Sequence, residues 1–492
     1  MQVYFPLLCL PQCSTGKWVS SPHTLSIDIL DDDSPLNIFY LHRPFLFGED
    51  EDDDMRLFGG REGWGRGHWW VKLSHICQRW RNVILESSSY LGLFLTCTKG
   101  TPVADMLAHS PPLQLVIDYY EDFNMSAEDE GRLILALEKR DRIRRIRLRA
   151  DIPNLQRLIK IISDEYPILE YLIIAAPRRS PSLTLPERLH APHLHHLVLS
   201  GFVLPIESRL LTTAVNLVTL VLRTTMPPTY FHPNALLHWI SFMPRLETLI
   251  IHFHSADPSR TIERQLTYIP TTLIALPHLR RLWFQGVDAL LEAVVPWIVT
   301  PRLERLRVFF FDQLTFSVPR LMQFLSTAEN LRFNNARLIF STDRVDMGMY
   351  AHQETCLTQC LHIRVLSWSL ELQVSAVAQI FNSLSQIFSA LEHLTFSYKA
   401  RDLSSEEHDE VDRTECRRIL RSFSNVETLR IEDGLDEEIA RCLRLEDGQL
   451  PLDLLPELHE LTYSRNSDTD NKFASFINAR QKAGYSITLL DL

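Results

Sequence analysis

Leu246-Glu247-Thr248-Leu249-Ile250-Ile251 carries the pattern that decides the fold: an apolar residue, two variable ones, an apolar residue, one variable, an apolar residue. It returns as Leu169-Glu170-Tyr171-Leu172-Ile173-Ile174, Leu279-Arg280-Arg281-Leu282-Trp283-Phe284 and Leu303-Glu304-Arg305-Leu306-Arg307-Val308. Copies start at Ile143, Leu169, Leu194, Leu217, Leu246, Leu279, Leu303, Phe333, Ile363, Leu391, Val426 and Leu458, at intervals of 23 to 35 residues. Several follow a proline, as at Pro192, Pro244, Pro277, Pro301 and Pro456. Residues two apart on a strand share a side, so the last two apolar positions of each copy predict a short strand with one buried face. Between copies, Asn154 to Glu165 has apolar residues at helical spacing, with Pro167 before the next strand. Strand, helix and turn therefore repeat in order.

This interval suits a short strand plus its return segment, the unit of a leucine-rich-repeat coil. One such unit cannot bury its own apolar face, so each coil must cover the last. The residue between the two buried strand positions faces the concave outer surface: Arg147, Ile173, Val198, Val221, Ile250, Trp283, Arg307, Arg337, Ser367, Thr395, Arg430 and Thr462. Arg147, Trp283, Arg307, Arg337 and Arg430 are the candidate substrate-binding residues of that row. Leu113-Gln114-Leu115-Val116-Ile117 reads as a first strand, and Asn471 to Ala483 as a helix stopped by Gly484 before a last strand over Tyr485 to Leu490. The repeat region is expected over 110–492, a helical module over 30–100, and a poorly defined segment over 1–29.

The rest of the composition narrows the class. In 492 residues, 45% hydrophobic and 23% charged is globular composition, which excludes wholesale disorder. A net charge of −11 supplies no basic field for nucleic acid. Eight cysteines, at 9, 13, 77, 97, 356, 360, 416 and 442, are too scattered for a disulfide framework and point to a reducing compartment. The apolar start is broken by Pro6 and Pro11 and lacks a basic region, and no apolar run reaches the ~18 residues of a spanning helix. The expectation is a cytoplasmic or nuclear protein that binds neither membrane nor nucleic acid.

Ahead of the repeats lies an acidic run, Glu49 to Asp54, and a glycine-rich stretch, Gly59 to Gly67, read together as a loop over 48–68. The glycines lack the spacing of a phosphate loop. On either side are Pro35-Leu36-Asn37-Ile38-Phe39-Tyr40-Leu41 and the segment from Trp70 to Leu85. In the second, Leu73, Ile76, Cys77, Trp80 and Ile84 form one helical stripe. The run Leu73-Ser74-His75-Ile76-Cys77-Gln78-Arg79-Trp80-Arg81, with Tyr90-Leu91 after it, resembles the second half of an F-box, and Leu36 to Phe39 resembles the end of its first half. Asp31, Ser34 and Pro35 depart from the family's leading pattern.

The whole layout is similar to fungal F-box/leucine-rich-repeat proteins. That resemblance implies a helical F-box-like module followed by a leucine-rich-repeat-like α/β solenoid with a parallel sheet on its concave face. It implies a non-catalytic substrate receptor that joins a Skp1-like adaptor and a cullin ligase core to a protein substrate. Carried over by position, Leu36, Ile38, Phe39, Leu73, Ile76, Cys77, Trp80 and Arg81 fall in the adaptor-binding helices. A repeat scaffold without docking is the alternative.

Chemistry-bearing motifs are sparse. His190, His193, His195 and His196 cluster at a turn without acidic or thiol partners at ligand spacing, and neither Cys9/Cys13 nor Cys356/Cys360 completes a zinc set. No nucleophile elbow, zinc-protease helix or Cys–His signature occurs. No cofactor, metal or catalysis is expected.

Overall fold

In this computed structural model the described residues are 31, 33–42, 69–88, 90–120, 125–177, 183–224, 230–254, 272–352, 357–399, 413–432, 434–445, 450, 452–463 and 472–491. The expectations for 1–29 and for the loop 48–68 fall outside them. The chain divides into two compact units, Met1–Leu95 and Thr96–Leu492.

The first unit contains helices α1 (Asp33–His42), α2 (Trp69–Ser74) and α3 (Gln78–Glu86). The start of α1, where Asp31 and Ser34 depart from the expected pattern, has a physical role. Asp31 Oδ1 accepts from Ser34 N at 2.8 Å and Ser34 Oγ at 2.6 Å, satisfying a donor that the first turn of α1 would otherwise leave unpaired. Those hydrogen bonds hold the Asp31 carboxyl below its usual range.

The single stripe expected from Trp70 to Leu85 is instead two helices. The chain turns at His75 and Ile76, and Cys77 caps α3 by accepting from Trp80 N through Sγ at 3.4 Å. Arg81 Nε closes the turn on Ser74 O at 3.1 Å. Phe39 of α1 packs edge to face on Trp80 of α3, centroids 4.9 Å apart, with Ile84 buried nearby in the sequence on the same helix.

In the second unit, turn chemistry sets where each strand begins. In Tyr166-Pro167-Ile168-Leu169 the Leu169 N–H donates to Tyr166 O; the same bond joins Leu194 to Ala191, Leu246 to Met243, Leu279 to Leu276, Leu303 to Thr300 and Leu458 to Leu455. Proline at the second position of each turn supplies the φ that a β-turn needs there. The leucine closing each turn is buried, as are the two apolar strand positions after it, such as Leu172 with Ile174 and Leu306 with Val308. Burying each such side chain contributes about 1.5–3 kcal/mol.

The main sheet has sixteen strands: β1 (Phe94–Cys97), at the point in the chain where the units divide, β2 (Gln114–Tyr119), β3 (Ile143–Arg149), β4 (Tyr171–Ala175), β5 (His196–Ser200), β6 (Thr219–Arg223), β7 (Thr248–His252), β8 (Arg281–Gly286), β9 (Arg305–Phe310), β10 (Asn335–Ser341), β11 (Arg344–His352), β12 (Leu357–Leu366), β13 (His393–Lys399), β14 (Thr428–Glu432), β15 (Glu460–Tyr463) and β16 (Thr488–Asp491). From β2 to β9 neighbours in sequence are parallel neighbours in the sheet. Helices of the same unit fill several of the connections: α4 (Val103–His109), α5 (Ala127–Leu137), α6 (Ile152–Ile161), α7 (Arg209–Thr212), α8 (Pro233–Ile240), α9 (Asp288–Val294), α10 (Pro319–Thr327), α11 (Leu370–Ser383), α12 (Ser385–Phe388), α13 (Arg413–Arg421), α14 (Asp436–Leu443) and α15 (Ala474–Lys482). Several of these helices pack on one another, α5 on α6, α11 on α13 and α13 on α14, as expected where crossovers of one hand join parallel strands.

One region breaks the sequence order. The markers at Phe333 and Ile363 predict successive coils, but the sheet runs β9-β12-β11-β10-β13. β11 is antiparallel to both neighbours, while β12 is parallel to β9 and β10 to β13. The extra strand reverses the order of the two it joins. Gln373 of α11, fully buried, fastens the arrangement by donating through Nε2 to Ser341 O at 2.7 Å and to Ser367 O at 2.8 Å.

At the far end α15 stops at Gly484, whose φ of +88° is the left-handed conformation glycine adopts freely. Arg480 of α15 is buried and donates to the carbonyls of Leu455 at 2.9 Å, Pro456 at 2.7 Å and Leu458 at 3.1 Å, pinning the turn before β15.

Candidate functional site

Strand register assembles the candidate site. Asp118, Arg147, Ile173, Val198, Val221, Ile250, Trp283, Arg307, His362, Gly348, Arg337, Thr395, Arg430, Thr462 and Leu490 are successive register partners, one per strand from β2 to β16. All point to the face opposite the buried leucines. The five candidates Arg147, Trp283, Arg307, Arg337 and Arg430 thus share one row. Ser367 does not belong to it: β12 ends at Leu366, Ser367 is buried, and His362 holds the position opposite Arg307. The frame slips because Leu361 and Ile363, rather than Leu366 and Trp368, are the inward pair.

The row is not uniform. Arg147 is buried, 3.8 Å from Asp118 and stacked on Tyr120 with its guanidinium 4.4 Å from the ring centre. Ile173, Val198, Val221 and Ile250 are also buried, although the strand pattern predicts them exposed. Beside them Tyr171 and His196 stack at 4.4 Å, and Arg145 lies over Tyr171 at 4.5 Å. Burial, with the nearby charges of His195 and Arg145, pushes the His196 pKa down to about 4, so the ring is neutral.

From β8 onward the face becomes partly exposed, aromatic and cationic. His252, Trp283, Phe309 and His362 form a ladder of edge-to-face contacts, with centroids 5.2, 5.3 and 5.2 Å apart. Arg364 covers Phe309, 4.5 Å from its centre. Next to the ladder, Asp346 of β11 accepts from Arg364 Nε at 2.5 Å and from Arg344 Nε at 3.1 Å, and its Oδ1 lies 2.9 Å from His362 Nε2. Burial raises the Asp346 pKa, but the bonds from His362 and Arg364 and the Arg364 charge outweigh it and hold the carboxyl at about 2. An ionised carboxylate only accepts, so His362 carries its proton on Nε2. Burial keeps that ring's pKa low against the pull of Asp346. The cluster therefore offers fixed positive charge rather than a proton shuttle.

A second carboxylate organises the outer rows. Glu432 of β14 accepts from Arg337 Nη2 of β10 at 2.6 Å and lies 2.8 Å from Arg430 Nε, bridging over β13. Gly348, in mid-row, leaves room for its neighbours: a Cβ there would sit 2.7 Å from the Tyr350 hydroxyl and 2.9 Å from Gln359 Nε2, so the ends of those side chains would have to move. Sequence reasoning missed Asp346, His362, Arg364, Phe309 and Glu432. The alternation on β9 and β14 could have found Phe309 and Glu432, two residues beyond Arg307 and Arg430; Asp346 lies on a strand with no leucine marker.

In the first unit, Phe39 and Trp80 are core, Cys77 is a helix cap, and Arg81 is tied to Ser74 O. Leu36, Ile38 and Leu73 are half-buried. Among the described residues of that unit, the large apolar side chains most open to solvent are Leu41 at 83%, Tyr90 at 60% and Ile76 at 51%. Among the described residues no group of three or more His, Cys, Asp or Glu could hold a metal, and no helix is long and apolar enough to cross a membrane. No protein-family model matches the chain, and no curated protein matches it.

Proposed function

We propose that this chain is a non-catalytic substrate receptor of a cullin-type ubiquitin ligase, acting in the cytoplasm or nucleus. Its first unit is read as a degenerate F-box that docks a Skp1-like adaptor. Its second is read as a leucine-rich-repeat-like solenoid whose concave sheet face holds the protein substrate. The mechanism is proximity: holding substrate and ligase on one chain raises the effective concentration of target lysines near the loaded ubiquitin.

The observation that carries this reading is the register row itself, a single continuous line of side chains across β2 to β16 that turns aromatic and cationic from Trp283 to Arg430. A surface of that kind suits protein recognition, because Trp and Arg dominate interface energetics. The first unit supports the other half of the reading: Phe39, Trp80 and Ile84 are buried, while the apolar side chains of Leu41 and Ile76 are exposed to solvent, as a docking surface requires.

The test is binding of purified Skp1 to the full chain. Because Trp80 is core, the informative variants are Ile76→Asp and Leu41→Asp, at exposed positions. The expected result is Skp1 binding that drops about tenfold or more in these variants while their melting stays that of the wild type. A folded wild-type chain that does not bind Skp1 overturns the ligase reading and leaves a repeat scaffold.

A further inference from the structure

We infer that the β9–β14 part of the sheet face recognises an acidic, extended peptide segment through the carboxylates of its side chains. This rests on the receptor reading for its biological meaning, but the binding chemistry stands on the face alone. The strand residues on this stretch of the face include Arg305, Arg307, Arg364, Arg344, Arg337 and Arg430, against the strand carboxylates Asp346 and Glu432 and, in the turn between β10 and β11, Asp343, 3.4 Å from Arg344. Each of the two strand carboxylates already serves two arginines. The face is therefore cationic in a chain whose net charge is −11. A concentration of positive charge against the sign of the whole molecule is complementary to an acidic partner.

The spacing selects the form of that partner. Neighbouring strands lie about 4.8 Å apart, so Arg307 and Arg337, three strands apart in the row, are separated by about 14 Å, and Arg337 and Arg430 by about 10 Å. One phosphate group cannot reach across such a row. An extended peptide rises about 3.3 Å per residue and turns every second side chain the same way, so acids at alternate positions recur about every 6.6 Å on one side and put a carboxylate within reach of each of the three long arginine side chains. Guanidinium forks pair with carboxylates in two-bond geometry, which rewards distributed acids. Trp283, at the edge of this stretch and partly exposed, suits an apolar residue flanking the acids.

A single-stranded nucleic acid is the other polyanion that a face of arginines and rings suggests. It is disfavoured because base stacking needs an open ring face. Here consecutive rings pack edge to face, and Arg364 lies over Phe309.

The experiment uses the full chain and a fluorescein-labelled synthetic peptide of about ten residues alternating glutamate with leucine, read by fluorescence anisotropy at low salt. The comparison probes are the same peptide with lysine for glutamate, the same peptide with one phosphoserine as its sole acid, and an oligouridylate. The variants are Arg307→Glu and Arg430→Glu. Arg430 is more than half exposed, so its reversal leaves the fold intact, which a thermal melt checks. Expected is saturable binding of the glutamate peptide, weakened about tenfold or more by each reversal and lost in high salt. The inference is overturned if the glutamate peptide binds no better than the lysine peptide, if neither reversal changes its affinity, or if the phosphoserine peptide or the oligouridylate binds more tightly. Skp1 binding, measured on the same preparations, separates the two readings: its loss sinks the receptor reading alone, and peptide failure with Skp1 bound sinks only this one.

Discussion

The same backbone slot is core in one half of the sheet and surface in the other. From β4 to β7 it holds Ile173, Val198, Val221 and Ile250, all buried; from β9 to β14 it holds Arg307, His362, Gly348, Arg337, Thr395 and Arg430, mostly part-exposed. The inward leucines are buried alike in both halves. The inward side thus contributes core along the whole sheet, whereas the other side adds to the core from β4 to β7 and is charged and part-exposed from β9 to β14.

The hardest way to break that comparison is to put a charge in each half. Val221→Asp buries an unpaired carboxylate and is expected to cost on the order of 4 kcal/mol or more, or to prevent folding, whereas Thr395→Asp in the same row should cost less than about 1. Urea midpoints of the two variants test this, and equal losses would refute the division. Next in size, Leu220→Ala and Leu306→Ala should each cost about 2–5 kcal/mol, because both lose the same kind of inward leucine. A large difference between them would mean the halves do not share one core.

Acid separates the halves by pH. His196 is held neutral with a pKa of about 4, below the 6.5 of an unfolded chain. Its folded environment is fully stabilising above pH 6.5 and loses up to about 3 kcal/mol as pH falls from 6.5 towards 4, since the unfolded chain takes up the proton first. Asp346, depressed from 3.8 to about 2, contributes above pH 4, and its share is lost as pH falls from about 4 to 2. His196→Phe should therefore remove the upper step of a stability–pH curve and keep the ring stacked on Tyr171, while Asp346→Asn should lower stability at neutral pH and flatten the lower step. The smallest expected effect is Arg430→Ala, within about 0.5 kcal/mol of wild type, because exposed ion pairs contribute little. A much larger cost would show that the cationic stretch is part of the core after all.

The inward side of this fold was legible in the sequence because a leucine at the turn and two apolar residues on the strand are local signals. Pro167, Pro192, Pro244, Pro277, Pro301 and Pro456 mark turns that the structure contains, and Gly484 does end its helix. The outward side was only half legible. Alternation says that Ile173 and Arg307 point the same way, but the burial of one and exposure of the other depends on tertiary surroundings that a local pattern does not contain. The break between α2 and α3 was missed because Leu73, Ile76, Trp80 and Ile84 keep helical spacing across the turn at His75 and Ile76. β11 was missed because Val345, Met347 and Met349 are its buried residues, an alternation without the leucine that closes a turn. Asp346, the centre of the cationic cluster, lies on that same strand.

The reversed order β12-β11-β10 has a consequence for how the unit comes apart. An ordinary row of repeats can melt from either end, because each repeat leans only on its neighbours. Here the strand that follows β9 in the chain pairs with β13, and the strand that precedes β13 in the chain pairs with β9. The chain is plaited at that point, so neither flank can complete its edge until all of residues 335–366 are in place. Pulling on the two ends should meet one late, high-force event at the plait instead of a staircase of equal steps.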